Sequence, residues 1–256
     1  MKFISTRGKS PAVTAAEAIR RGLAPDGGLY VPDELPVFSA NELEALYALP
    51  YAELSAAVLE RFLPGFSREE LLDYTKKAYA SFDDDAVVPL HALGDKLWTM
   101  ELFHGPTFAF KDYGAGFMGR MIGLMGGAGE KLVILTATSG DTGSAVAHGF
   151  YGVPGVEVVL LYPEGKISRL QECQMTTLGG NIHPLRVAGT FDDCQRLVKE
   201  LFADAKFRAG HRVSSANSIN LLRWIPQAFY YFYGYCLWRQ QTGGGRPVVV
   251  LSLIHI

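Results

Sequence analysis

One lysine in this sequence is placed where its amine could act as a nucleophile. Lys111 follows an apolar stretch at 97–102 that predicts a strand, and Gly105-Pro106 predicts a turn between the two. The segment 108–110 (Phe-Ala-Phe) surrounds the lysine with apolar side chains, which penalises the charged form of an amine and leaves it nucleophilic near neutral pH. Such an amine can form a covalent bond with an aldehyde. The alternative interpretation is a surface lysine at the start of a helix.

A second motif lies about one strand-helix unit further along the chain. Residues 131–138 (KLVILTAT) predict a strand, and the loop Ser139-Gly-Asp-Thr-Gly143 leads into a helix of small residues at 144–150. Backbone N–H groups and hydroxyls at the start of a helix form a site for an anion. The alternative is an ordinary loop in which Ser, Asp or Thr caps the helix.

The elements that position these motifs alternate between strands and helices from about residue 86. This alternation predicts an α/β fold with a parallel sheet. The predicted strands are 97–102, 132–138, 156–162, 182–187 and 247–251, and the predicted helices are 112–125, 144–150, 167–178, 190–206 and 220–240. Before them, a small, mostly helical N-terminal domain is predicted, with helices at 14–21, 40–47, 51–62 and 67–80. We therefore expect domains at 1–82 and 83–250, followed by a tail at 251–256.

Composition excludes several classes of protein. The 256 residues are 48% hydrophobic and carry a net charge of −2 with scattered basic residues, which predicts a globular protein without a nucleic-acid surface. The apolar runs are too short to span a membrane, and the N-terminus does not resemble a signal peptide. The three widely spaced cysteines predict free thiols rather than disulfides or a metal site. The expected compartment is the cytoplasm.

Three further features have competing interpretations. Residues 114–119 match the dinucleotide pattern G-x-G-x-x-G, but they fall inside a predicted helix, where glycines allow close packing. Among the histidines, only His104 is expected near the functional site. The aromatic run 229–233 is expected in the core or at a subunit contact, because no basic stripe accompanies it.

The two motifs occur together with other segments that resemble one family. The segments are 5–8, 22–32, 101–112, 136–145, 167–182, 214–220 and 226–235. In this order the chain resembles the threonine synthases, pyridoxal-phosphate enzymes of the fold type II (tryptophan synthase β) superfamily. The resemblance implies pyridoxal 5'-phosphate as cofactor, a small-molecule substrate, O-phosphohomoserine, and threonine and phosphate as products. It implies no nucleic-acid or membrane partner, and it leaves monomer and homodimer both open.

The resemblance also implies roles for individual residues. Lys111 would hold the cofactor and remove the substrate α-proton. Ser139, Gly140, Asp141 and Thr142 would form the loop that binds the substrate carboxylate and approaches the cofactor ring. Asn217 would contact the cofactor or the substrate. Asn217 and Ser218 are candidates to bind the substrate phosphate, and the weaker candidates are Lys166, Ser168 and Arg169. For Asn217 a helix N-cap is an equal alternative.

The C-terminal residues depart from the family pattern. After the strand at 247–250 the family has a glycine-rich loop for the cofactor phosphate, whereas this sequence reads LSLIHI at 251–256. We expect a truncated reading frame that binds the cofactor weakly and turns over little. The alternatives are a phospholyase or dehydratase of the same fold, a nicotinamide-dependent reductase that uses residues 114–119, and a fragment without activity.

Overall fold

The computed structural model describes residues 1–125 and 131–245. Its N-terminal part pairs two short antiparallel strands and contains four helices. In chain order these are β1 Phe3–Ser5, α1 Ala15–Arg21, β2 Tyr30–Pro32, α2 Ala40–Leu46, α3 Tyr51–Phe62 and α4 Arg68–Tyr79. The four predicted helices are confirmed, and caps explain three of their starts, because Thr14, Ser39 and Ser67 each accept a hydrogen bond from the first turn of their helix.

The remaining elements alternate as the sequence predicted. They are β3 Leu90–Gly94, β4 Leu97–Met100, α5 Lys111–Met125, β5 Leu132–Ala137, α6 Asp141–Phe150, β6 Val156–Pro163, α7 Arg169–Thr176, β7 Ile182–Val187, α8 Phe191–Ala203, α9 Ala205–Gly210, β8 Arg212–Ser214, α10 Leu221–Trp224 and α11 Phe229–Thr242. A 3-10 turn, Ile225–Ala228, connects the last two helices.

A parallel sheet of four described strands confirms the predicted α/β fold. Its order is β7-β6-β5-β8, and Leu132 of β5 lies beside Val156 of β6 on one side and Arg212 of β8 on the other. Side chains alternate between the two faces, as a strand requires. Leu135 packs with the residues of α8, whereas Ile134 joins the larger core on the other face. Both faces of β5 are therefore covered, which explains its continuous apolar sequence.

One of the predicted strands needs correction, and another is not tested by the described residues. Residues 97–102 do form a strand, but β4 pairs antiparallel with β3 in a separate hairpin instead of joining the parallel sheet. The predicted strand 247–251 lies outside the described residues. The sequence analysis missed β3 and β8, because β3 is largely exposed and β8 has three residues, which leaves no hydrophobic period to recognise.

Two predicted long helices are interrupted. Pro226 lies within the predicted helix 220–240, and there the chain forms a 3-10 turn between α10 and α11. Proline has no N–H to donate to the preceding turn, which explains the break. The predicted helix 190–206 divides at Asp204, whose side chain accepts hydrogen bonds from the N–H groups of Lys206 and Phe207 and so starts α9.

A cluster of buried aromatic rings joins the N-terminal helices to the rest of the molecule. Tyr51 of α3 lies at the centre, with ring centroids 4.9 Å from Tyr79, 6.0 Å from Tyr113 of α5 and 5.2 Å from Tyr233 of α11. Edge-on aromatic pairs add about 0.5–1.5 kcal/mol each beyond the burial of their area. The aromatic run at 229–233 therefore contributes to the core, which was one of the two predicted alternatives.

The glycines at 114–119 allow α5 and α6 to pack closely. A Cβ atom on Gly119 would lie 2.0 Å from the carbonyl oxygen of Gly149 in α6, and a Cβ atom on Gly149 would lie 2.6 Å from the carbonyl oxygen of Ala115. The predicted packing role is confirmed, because the end of α6 lies directly against α5 at these glycines. Within the described ranges, no helix is long and apolar enough to cross a membrane.

Candidate active site

The candidate site residues follow strands of the parallel sheet. β5, β6 and β8 end at Ala137, Pro163 and Ser214, and the segments that follow them contain residues 139–142, 166–169 and 217–218. The carboxyl ends of parallel strands meet at one edge of a sheet, which is where ligands bind in open α/β folds. The topology therefore brings three distant segments to one edge.

Lys111 contacts the loop after β5. Its Nζ atom donates a hydrogen bond to Asp141 Oδ2 at 3.1 Å and lies 4.7 Å from the centroid of the Phe110 ring. The Lys111 side chain is 20% exposed and that of Asp141 40%. The expected apolar environment is therefore only partly present. Phe108 is wrongly placed in that prediction, because it is 63% exposed and has a left-handed backbone with φ of 60°.

Asp112 holds the turn that precedes Lys111. Its carboxylate accepts hydrogen bonds from the backbone N–H of Thr107 at 2.9 Å and from the Thr107 hydroxyl at 2.6 Å. Burial raises the pKa of Asp112, against the effect of these hydrogen bonds. A Cβ atom on Gly105 would lie 2.5 Å from the Asp112 side chain, so the turn requires glycine there. Asp112 thus fixes the backbone position of Lys111 at the start of α5.

Thr138 organises the loop after β5. Its hydroxyl oxygen accepts hydrogen bonds from the N–H groups of Gly140 at 3.0 Å and Gly143 at 2.7 Å. Two of the N–H groups that the sequence assigned to an anion are therefore used internally. The N–H group of Thr142 belongs to the first turn of α6, where an α-helix makes no internal bond to it, so it is a candidate donor to a ligand. Gly140 has φ of 133°, a conformation that only glycine adopts readily.

The segment after β6 is anchored by the cap of α7. The Ser168 hydroxyl accepts a hydrogen bond from the Gln171 N–H at 3.2 Å, and the Gln171 side-chain oxygen accepts one from the Ser168 N–H at 3.0 Å, so Ser168 is the helix N-cap. Gln171 also donates to Asp141 Oδ1 at 2.7 Å. Lys166 and Arg169 are exposed. Of the residues predicted in this segment, Ser168 caps a helix. Gln171, which was not predicted as a site residue, contacts the loop that contains Asp141.

Asn217 lies against the end of β5. Its side-chain amide donates to the carbonyl oxygen of Ala137 at 3.1 Å, and its Oδ1 accepts from the Ser215 hydroxyl at 3.1 Å. The alternative that Asn217 is a helix N-cap is wrong, because Asn220 caps α10 by accepting from the Leu222 N–H. Ser218 is exposed.

The partners of two basic side chains, Arg223 and His104, were not predicted from the sequence. Arg223 is buried, and it donates to the carbonyl oxygen of Ala216 in the loop that contains Asn217. Burial lowers the pKa of its guanidinium to about 10. His104 was expected near the site, which stays a prediction, and its ring nitrogens pair with Asp83 at 2.7 Å and Glu101 at 2.8 Å. It therefore ties the joint between the two predicted domains to the segment after β4.

Comparison with protein families gives this arrangement a context. Residues 86–253 match the family model described as pyridoxal-phosphate dependent enzyme, and residues 2–79 match the model described as threonine synthase N terminus. The chain belongs to the family of pyridoxal-phosphate dependent enzymes. This finding confirms the predicted cofactor class, and the dinucleotide interpretation of residues 114–119 is excluded by their position inside α5.

The proteins similar to this chain include threonine synthases. The chain is 43% identical to the threonine synthase of Pseudomonas aeruginosa over 91% of its own length and 42% identical to that of Escherichia coli over 98%. Structures of threonine synthase from Brucella melitensis, bound to pyridoxal phosphate, and from yeast superpose with TM-scores of 0.87 and 0.85, covering 93% and 95% of this chain. The chain spans about half the length of these relatives, 50% and 58% of the two bacterial sequences and 52% and 50% of the two structures.

The described residues fit one end of pyridoxal phosphate. The cofactor aldehyde needs an amine, and Lys111 supplies one that is mostly buried beside a carboxylate and a helix start. Four residues of the site were missed by the sequence analysis: Thr107, Thr138, Gln171 and Arg223. Only Gln171 had a local signal, since the spacing Ser168-x-x-Gln171 is that of a capping box.

Proposed function

We propose that this chain functions as a threonine synthase and that its Lys111 holds the cofactor. A threonine synthase converts O-phospho-L-homoserine and water to L-threonine and phosphate. The observation that carries the proposal is the contact between Lys111 Nζ and Asp141 Oδ2 at 3.1 Å. It brings together the two motifs that the sequence analysis singled out, which lie 30 residues apart. The similarity to threonine synthases over nearly the whole chain supports the choice of reaction.

The described residues support a division of tasks. Bound pyridoxal phosphate would supply the electron sink for carbanion chemistry. The Lys111 amine would attach the cofactor and, when released, accept the substrate α-proton at Nζ. Asp141 would orient that amine through its hydrogen bond. The flexible lysine thus reaches the reaction centre from a fixed helix start, which Asp112 and Thr107 hold in place.

The substrate would be held by the loops at the same sheet edge. Its carboxylate suits the N–H group of Thr142 and the hydroxyls of Ser139 and Thr142, because the start of α6 carries the positive end of the helix dipole. Asn217 and Ser218, with Lys166 and Arg169, would contact the substrate phosphate. Ser168 would contribute mainly by capping α7.

The test is covalent attachment of the cofactor to Lys111. Because the chain is expected to bind the cofactor weakly, pyridoxal phosphate is added in large excess; it should give an absorbance band near ~410–420 nm, and borohydride reduction should fix the label on the peptide that contains Lys111. Lys111→Ala should lose both signals, whereas Lys96→Ala, an exposed lysine between β3 and β4, should retain them. A band of equal strength in Lys111→Ala would show that the lysine is assigned wrongly. Product analysis then separates threonine synthesis from release of an α-keto acid and ammonia.

A further inference from the structure

We propose that Gln171 is a positioning residue for Lys111 and acts through the carboxylate of Asp141. This inference rests on the proposed function, because it assigns Gln171 a task in presenting the cofactor lysine. Gln171 Nε2 donates to Asp141 Oδ1 at 2.7 Å, while Lys111 Nζ donates to Asp141 Oδ2 at 3.1 Å. Each carboxylate oxygen therefore has a donor from a different helix. Together the two bonds determine the orientation of the carboxylate plane.

The Gln171 amide is itself held in one orientation. Its Oε1 atom accepts a hydrogen bond from the Ser168 N–H at 3.0 Å, which leaves the NH2 group directed at Asp141. Exchange of the amide oxygen and nitrogen would lose both hydrogen bonds. The amide is thus a donor in a fixed orientation, directed at an Asp141 side chain that is 40% exposed.

Two further contacts hold Gln171 against the loop after β5 and the first turn of α6. Its carbonyl oxygen accepts a hydrogen bond from the Ser144 hydroxyl at 3.3 Å, and a Cβ atom on Gly140 would lie 2.4 Å from the Gln171 amide group. Gln174, one turn further along α7, donates to the carbonyl oxygen of Thr107 at 3.4 Å. Helix α7 therefore contacts both segments that hold the Lys111–Asp141 pair, and Gln171 is its direct contact with the pair.

The chemical reactivity of the Lys111 amine provides a test that does not require turnover. The chain without cofactor is acetylated with limiting acetic anhydride at mildly alkaline pH, and mass spectrometry gives the rate at Lys111 relative to Lys96 and Lys199 as internal standards. Gln171→Met retains an unbranched side chain but removes the donor, so Asp141 is released toward solvent. Acetylation of Lys111 should then be about two- to fivefold faster, the change expected when a partly exposed ion pair is lost.

Two further variants separate positioning from helix stability. Gln171→Glu keeps the capping box, because glutamate occupies this position in capping boxes too, but it replaces the donor by a second carboxylate. Acetylation of Lys111 should then be about two- to fivefold slower, since two carboxylates stabilise the ammonium form. Ser168→Ala removes the cap and retains the Gln171 amide. It should lower the melting temperature and leave the acetylation rate at Lys111 within error of the parent chain.

The opposite directions for Met and Glu support the proposal. It is overturned if both variants change the rate in the same direction, if neither changes it, or if Ser168→Ala changes it as much as Gln171→Met does. If Gln171→Met does not fold, the slower rate in Gln171→Glu decides alone. A failure here is distinct from a failure of the proposed function, which is judged by whether Lys111→Ala still carries the cofactor band.

Discussion

The hydroxyl of Thr138 should contribute more to stability than any other threonine hydroxyl in β5 and the loop after it, and one substitution tests this. Thr138 is fully buried, and its oxygen accepts hydrogen bonds from the N–H groups of Gly140 and Gly143, which are also buried. Thr138→Val keeps the shape of the side chain and removes the acceptor. Both N–H groups are then left without their partner.

The expected magnitude follows from the two stranded donors. A buried donor that loses its partner costs about 1–3 kcal/mol, and partial rearrangement of the loop relieves some of this. Thr138→Val should therefore lower the free energy of unfolding by about 2–4 kcal/mol. Thr138→Ser retains the hydroxyl and loses only a methyl group, so it should cost about 1 kcal/mol.

Thr136 supplies a matched control in the same strand. It is also fully buried, but its hydroxyl has no hydrogen-bond partner among the described residues. Thr136→Val replaces an unsatisfied polar group by a methyl group, and the free energy of unfolding should stay the same or rise by about 1 kcal/mol. Thr→Val should therefore lower the free energy of unfolding at position 138 but not at position 136.

Urea denaturation followed by circular dichroism measures these differences. The midpoint multiplied by the common slope gives the free energy for each variant, provided that the slope is unchanged. Equal destabilisation by Thr136→Val and Thr138→Val would refute the reasoning, because it would show that the cost reflects the substitution in the strand and not the two hydrogen bonds.

Two further outcomes follow from the structure. Gly119→Ala should destabilise the chain by about 2 kcal/mol or more in thermal or urea unfolding, because its Cβ atom would lie 2.0 Å from the Gly149 carbonyl oxygen, whereas Gly116→Ala, with its nearest contact at 3.3 Å, should be near neutral. The hydrogen bond to Glu101 raises the pKa of His104 above 6.5, so its stabilisation is complete below that pH and is lost as the pH rises through the folded value. The free energy of unfolding of the parent chain, measured at a series of pH values, should show this loss. If His104→Gln shows the same dependence on pH, the prediction is contradicted.

Sequence reasoning identified the elements with strong periodicity and the motifs with special chemistry. β5, β6 and β7, the helices α1 to α4 and the packing role of Gly119 all have local causes, such as hydrophobic period, caps and the absence of a side chain. The placement of the 97–102 strand failed, because a local pattern carries no information about which strand pairs with which. The anion site at 139–143 stays a prediction, and the sequence did not show that Thr138 accepts hydrogen bonds from two of its N–H groups.

The amino-acid sequence by itself determined the family and the α/β class, and it predicts Lys111 as the reactive amine, because each depends on residue types at fixed spacing. Only the tertiary structure decided what surrounds that amine. The hydrogen bonds of Asp141 to Lys111 and Gln171 join residues 30 positions apart, and the buried Arg223 and Asp112 become special only through burial. The physical reason is that burial and hydrogen-bond partnership depend on distances between segments, which the order of residues along one segment does not contain.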